Sequence, residues 1–344
     1  MRVLFVGGTG IISTACTRLA AQRGIDVTLL TRGRHATELP TGVKTIKADI
    51  TDAASVAKAL ARESFDAVVD WTVFTAGEAE RDIDLFRGKT SQYIFISSAS
   101  AYEKPVANYL ITEATPLVNP FWEYSRNKIA CEQRLMRAHR EEQFPVTIVR
   151  PSLTYGDTQI PLVMNNWAKP YTIVNRMLAG KKLIVPGDGN SLWVITHNSD
   201  FAKGFVGLLG RGDAIGEAFH ITSDEVRTWD GYFRIVADAL GVEARIVHMP
   251  SDFIVNCVPE MQGTLMGDKS VSCVFDNSKI RRFVPEYDAT TPFAEGIRRT
   301  LAWFSADAGR REVDFEFDVL CERLVTAYER GTGEALRYFA ESGS

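Results

Sequence analysis

No CxxC pair, no long apolar run, no block of like charge and no low-complexity segment occurs in the 344 residues. Each absence removes a class of protein. The five cysteines, Cys16, Cys131, Cys257, Cys273 and Cys321, are odd in number and scattered. They fit reduced thiols better than a disulfide framework or a zinc site. Only five histidines are present, none at a metal-ligand spacing, so no metal is expected. Lys and Arg total 39 against 43 for Asp and Glu, which gives no electrostatic footprint for nucleic acid or an anionic membrane. Small-molecule partners are expected instead. No stretch reaches the roughly 18 apolar residues of a membrane span. The opening MRVLFVGGTG reads directly as a strand, without the charged and apolar segments of an export signal. The expectation is a cytoplasmic protein, neither exported nor membrane-spanning.

What is there is a chain with 45% hydrophobic residues, enough for one large α/β domain and a smaller one. Strand-length runs RVLFV, DVTLL, KTIKA, DAVVD, YIFIS and PVTIVR alternate with helical patterns through the first half. These runs are rich in Val and Ile with little polar alternation, as in a parallel sheet covered on both faces. The texture changes after Arg150. Residues 1–155 are read as a dinucleotide-binding domain, and 156–344 as mainly a substrate-binding region with some segments returning to the first sheet. From about Thr291 the pattern is helical.

VLFVGGTGIIS places a strand, a glycine-rich turn and a helix start within the first fourteen residues. Gly7 allows the tight turn and Gly10 lets the backbone approach a pyrophosphate. Ile11 and Ile12 open a helix whose first N–H groups and dipole favour an anion. Ser13 stands where a third glycine is usual, and a residue this small is expected to fit. The second strand ends in Thr31-Arg32-Gly33-Arg34, with no carboxylate for a ribose and two guanidiniums for a 2′-phosphate. NADP is therefore preferred, with NAD possible. Asp49 and Ile50, after the third strand, are expected to hold the adenine by its amino edge and its face.

YSRNK sets Tyr124 and Lys128 four apart, on one face of a helix. A phenol of pKa about 10 is a poor base at neutral pH, and a neighbouring ammonium favours its ionised form. The preceding strand, YIFIS, ends in Ser97, Ser98 and Ser100. A hydroxyl at the carboxyl end of such a strand can bond the substrate oxygen that Tyr124 protonates or deprotonates.

GGTGIIS, SSASAY, YSRNK and VRPSLTYG, in this order and spacing, resemble the extended short-chain dehydrogenase/reductase superfamily, in its NAD-dependent epimerase/dehydratase group. The resemblance covers roughly residues 1 to 300. It implies a Rossmann-type, doubly wound parallel sheet with a smaller C-terminal substrate-binding region. It also implies a catalytic set of Ser98, Tyr124 and Lys128, with Lys128 binding the nicotinamide ribose as well. Pro151 follows as a cofactor contact, and a homodimer through the helices flanking the catalytic one is implied. The activity implied is that of an NAD(P)-dependent epimerase or dehydrogenase/reductase acting on a sugar-like or nucleotide-sugar molecule.

The departures narrow this. Ala99 and Ser100 stand where the resembling 4,6-dehydratases carry Asp-Glu, which argues against dehydration. Leu153 and Trp193 replace an asparagine and an arginine common in binders of nucleoside diphosphates. Arg176, Lys181, Lys182 or Arg227 could supply that charge from elsewhere. Trp122 and Trp193 are candidates to shape the pocket, whereas His197 and His220 read more readily as structural. PGDGNSLWVITHNSD, ITSDEVRTWDGY and FDNSKIRRFVP resemble a bacterial branch also similar to chloroplast stem-loop-binding proteins. That raises an alternative, a non-catalytic dinucleotide-sensing or RNA-binding protein, against which the acidic balance and the intact catalytic set both argue.

Overall fold

The computed structural model describes residues 1–33 and 39–342. Arg34, the second candidate guanidinium, lies outside the described residues. The chain divides into two compact units: residues 1–156, 194–225 and 274–292, and residues 157–193, 226–273 and 293–344.

The first unit is built in chain order from β1 (Arg2–Val6), α1 (Ile11–Gln22), β2 (Asp26–Thr31), β3 (Lys44–Lys47), α2 (Ala53–Ala59), β4 (Ala67–Asp70), α3 (Ala76–Phe86), β5 (Tyr93–Ile96), β6 (Leu110–Ile111), α4 (Glu123–Glu142), β7 (Val146–Pro151) and β8 (Leu153–Tyr155). Seven strands form one sheet in the order Ala218–Ile221, β7, β5, β4, β1, β2, β3. Every pairing in it is parallel. Chain order reverses between β1 and β4, which makes that crevice the topological switch point where ligands of such sheets bind.

The alternation within each strand explains the apolar runs. Val3 and Phe5 of β1, with Val27, Leu29 and Val69, face Cys16, Ala20, Phe201 and Phe205 on one side of the sheet. Leu4 and Val6, with Leu30, Val68 and Phe95, face Val56, Ile83 and Leu135 on the other. Both faces are buried, so the central strands are mostly apolar, and the polar residues within them, Thr28, Asp70, Thr147 and Arg150, are themselves buried. A capping box starts α3: the Thr75 N–H donates to Glu78 Oε2 at 2.9 Å and the Glu78 N–H to Thr75 Oγ1 at 3.4 Å.

The second unit holds the helices Thr172–Leu178, Trp229–Leu240, Phe293–Ser305 and Phe315–Ser342, with the parallel pair Leu183–Pro186 and Ile246–Met249. Three of the candidate phosphate-binding cations are engaged here. Buried Arg176 donates to Asp318 at 2.6 Å, Lys181 reaches the same carboxylate at 2.5 Å, and Lys182 pairs with Glu329. Trp193 is buried, with its indole N–H on the Val271 carbonyl at 2.9 Å and its ring 5.3 Å from that of Trp229. It is a core residue of this unit. Among the described residues no helix is long and apolar enough to cross a membrane.

Candidate functional site

A cavity of about 600 Å³ opens at the carboxyl ends of β1, β2, β4 and β5, and its wall includes Gly7, Gly10, Ile11, Ile12, Arg32, Asp49, Ile50, Ser98, Tyr124, Lys128 and Pro151, the described residues read from the sequence as catalytic or cofactor-binding. The glycine turn forms its floor. Gly7 and Gly8 have φ of +91° and +97°, a region closed to most side chains. A Cβ at Gly8 would lie 2.7 Å from Leu29 Cδ2, so this position demands glycine twice over. The sequence reading passed over Gly8, although a second consecutive glycine was the available signal. Gly10, in extended conformation, precedes α1, whose start carries no side-chain cap from that residue. In place of the usual third glycine, Ser13 is buried and accepts the Gly10 N–H at 2.8 Å. A bare, left-handed turn leading into a helix N-terminus is a cradle that fits a pyrophosphate.

The rim beyond β2 is formed by Thr31 and the exposed Arg32, and the rim beyond β3 by Asp49 and Ile50. Asp49 Oδ1 accepts from the Thr51 N–H at 3.0 Å and the Thr51 hydroxyl at 2.8 Å, which fixes that turn. After β4 the wall continues through Trp71, Thr72 and Phe74, with Arg81 reaching in from α3. Behind it lies a buried carboxylate cluster that the sequence did not suggest. Arg81 donates to Asp82 Oδ1 at 2.7 Å, Tyr93 to Asp82 Oδ2 at 2.6 Å, and Thr72 to Asp70 Oδ1 through both its N–H and its hydroxyl. Burial raises the pKa of both Asp70 and Asp82, and in Asp82 the neighbouring Asp70 charge adds to the effect.

On the β5 side, Tyr124 is the second residue of α4, half-buried, with its ring 4.9 Å from Trp122 and 6.4 Å from Phe74. Lys128, one turn on, is 2% exposed. Its ammonium sits 5.8 Å from the Tyr124 ring centre and 4.5 Å over Phe74. It donates to the carbonyls of Val73 at 2.6 Å and Ile96 at 2.8 Å. Burial pushes its pKa down to about 8. Ser98 follows β5 and caps a short turn, accepting the Ser100 N–H at 3.2 Å, with its hydroxyl 2.9 Å from that of Ser100.

Pro151 ends β7 on the cavity wall, while Arg150 before it enters the core. There Arg150 meets Glu132 bidentately, Nε to Oε1 at 2.9 Å and Nη2 to Oε2 at 2.7 Å, and it also donates to the Tyr102 hydroxyl at 3.2 Å. His220 belongs to the same network, 3.0 Å from the Tyr102 hydroxyl and 2.8 Å from the Asp276 carbonyl. Its burial lowers its pKa. His197 caps the helix Asn198–Leu208 by accepting from the Ser199 N–H. Neither histidine borders the cavity, and among the described residues no group of three or more His, Cys, Asp or Glu is placed to hold a metal ion.

The chain is 28% identical over 342 residues to the chloroplast stem-loop binding protein of 41 kDa b from Arabidopsis thaliana, covering 94% of this chain and 85% of that one. It is 25% identical over 292 residues to the 2′-dehydrokanamycin reductase of Streptomyces kanamyceticus, covering 83% and 80%. Its fold is that of a dTDP-glucose 4,6-dehydratase from Bacillus anthracis solved in complex with NAD, with a TM-score of 0.71 at 18% identity over 90% of this chain and 98% of that one. The profile of the NAD dependent epimerase/dehydratase family matches residues 3–222, from β1 through the strand Ala218–Ile221, and the chain belongs to that family of nicotinamide-dependent enzymes of the extended short-chain type.

Proposed function

We propose that the protein carries out oxidoreduction at a carbinol or carbonyl carbon of a sugar-like small molecule, as an epimerase or a reductase, with NADP preferred over NAD. The observation that carries this reading is that Ser98, Tyr124 and Lys128 border the same cavity as the glycine turn. The names of two relatives agree with it, since a 2′-dehydrokanamycin reductase and a dTDP-glucose 4,6-dehydratase both concern sugar chemistry. Dehydration is disfavoured, because Ala99 and Ser100 supply no carboxyl group for it.

The bound dinucleotide supplies the hydride acceptor or donor. The chain's own groups handle the proton and the oxygen. Tyr124 transfers the proton at the substrate oxygen, and the positive charge of Lys128 favours its phenolate. With two of the three Lys128 N–H groups spent on backbone carbonyls, the third is left for a ribose hydroxyl. Ser98 holds the substrate oxygen. Gly7, Gly8 and Gly10 admit the pyrophosphate, with Ile11 and Ile12 at the helix start, Pro151 beside the nicotinamide, Asp49 and Ile50 at the adenine, and Arg32 at the 2′-phosphate. A cytoplasmic homodimer completes the reading.

The test is to denature the purified protein, identify any released dinucleotide by mass spectrometry, and titrate the emptied protein with NADP(H) and NAD(H). Retained cofactor favours an epimerase that regenerates it in place. An empty protein with affinity for one dinucleotide favours a reductase. Binding of neither overturns the proposal and favours the RNA-binding or regulatory alternative.

A further inference from the structure

We propose that Ser125 and Ser100 fix the direction of the Ser98 hydroxyl, so that Ser98 offers its proton rather than a lone pair to the substrate oxygen. This rests on the catalytic reading of Ser98 given above and assigns two positioning residues behind it.

Three hydroxyls lie in a row. Ser125, 0% exposed and next to Tyr124 on α4, donates to Ser100 Oγ at 2.8 Å. Ser100, 4% exposed, lies 2.9 Å from Ser98 Oγ, and either atom of that pair could be the donor by distance alone. Proton counting decides between them. Each hydroxyl has one proton and two lone pairs. Ser125 has used its proton on Ser100. If Ser98 also donated to Ser100, the Ser100 proton would have no acceptor, because among the described residues its hydroxyl meets only those two serines. A buried donor left without an acceptor is more costly than one that is paired. The self-consistent order is therefore Ser125 to Ser100 to Ser98.

The backbone agrees with this order. The Ser100 N–H points at Ser98 Oγ at 3.2 Å, so both lone pairs of Ser98 are taken from within the protein. Its proton then has one outlet, the cavity that Ser98 borders. Asn119 holds the turn in place by donating to the Ser100 carbonyl at 2.8 Å. A hydroxyl oriented in advance towards an oxygen that gains negative charge costs no reorientation during reaction.

Whether Ser100 donates towards position 98 can be read without a substrate by placing an ionisable acceptor there. In Ser98→Cys, a thiolate accepts from the Ser100 hydroxyl and N–H, and its ionisation midpoint is measured from the pH dependence of iodoacetamide alkylation at that site by peptide mass spectrometry. Adding Ser100→Ala is expected to raise the midpoint by about one pH unit, the worth of one hydrogen bond to a charged acceptor. Adding Ser125→Ala raises it by less, since the freed Ser100 can still turn to donate. Ser100→Thr, which keeps the hydroxyl, holds the low midpoint and separates lost donation from lost packing. An unchanged midpoint with Ser100→Ala, or a rise of the same size with Ser100→Thr, overturns the relay. The catalytic reading fails on a different result, the absence of dinucleotide binding by the unaltered protein.

Discussion

The Lys128 ammonium lies 5.8 Å from the centre of the Tyr124 ring, anchored by the carbonyls of Val73 and Ile96 rather than by a carboxylate. Burial outweighs these dipoles and the more distant carboxylates of Asp70, Glu78 and Glu132, and the pKa falls to about 8. In the free protein the charge is therefore complete only below that pH. A bound dinucleotide brings negative charge into the cavity and raises the value again. Binding is expected to take up a fraction of a proton at about pH 8.5 and little at about pH 7, with affinity falling as the pH climbs through this range. Calorimetric titration in two buffers of different ionisation enthalpy measures the uptake. Lys128→Met should abolish it, and equal uptake by that variant would assign the proton elsewhere.

Tyr124 packs through its ring against Trp122 and Phe74, contacts that phenylalanine keeps. Tyr124→Phe should accordingly leave dinucleotide affinity nearly unchanged while turnover falls by about 10²–10⁴-fold, the usual worth of a positioned acid or base. Parallel measurement of dissociation constant and turnover separates the two effects. A variant that still turns over at the original rate has lost nothing catalytic.

The central strands and the glycine turn were legible because each rests on short-range rules. A strand buried on both faces is mostly apolar, and a tight turn at a helix start needs glycine where its φ is positive, as at Gly7 and Gly8. That Tyr124 and Lys128 share a face was legible for the same reason, as four residues on a helix fix a common face before any tertiary contact. The rest depends on pairings between distant segments. Asp82, Asp70 and Tyr93 meet only once α3 is laid against β4 and β5, and nothing near any of them in sequence marks the cluster. Arg176, a plausible phosphate ligand by type, is claimed by Asp318, 142 residues away. Arg150 could not be separated from its neighbour Pro151 by sequence, yet a single step along β7 sends it into the core while Pro151 borders the cavity.

Arg32 directly follows β2 as an exposed cation on the cavity rim. A guanidinium that pairs with a 2′-phosphate makes charge-assisted bonds worth about 1.5–3 kcal/mol, whereas the unphosphorylated ribose offers no such partner. Arg32→Ala should weaken NADP by about 10- to 100-fold and NAD by little. Fluorescence titration with both reduced dinucleotides reads the difference. Equal weakening of the two would remove the phosphate role.

The Arg150–Glu132 pair is buried in the core next to the cavity wall residues Pro151 and Ser97. Both side chains are almost wholly buried, at 6% and 3% exposure, and Ser97 on the cavity wall donates to the same Glu132 carboxylate at 2.5 Å. Removing one partner strands the other's charge in the core, at a cost of about 3–5 kcal/mol. Arg150→Met should therefore destabilise the first unit more than the double variant Arg150→Met/Glu132→Gln, which leaves no charge buried. Because Pro151 borders the cavity from the residue next to Arg150, loss of the pair should also loosen dinucleotide binding, and the double variant should recover part of both properties. Denaturant unfolding and cofactor titration on the unaltered protein, the single variants Arg150→Met and Glu132→Gln, and the double variant form the cycle. Additive losses would mean that the two charges stabilise the fold independently, and the coupling between the buried pair and the cofactor wall would be absent.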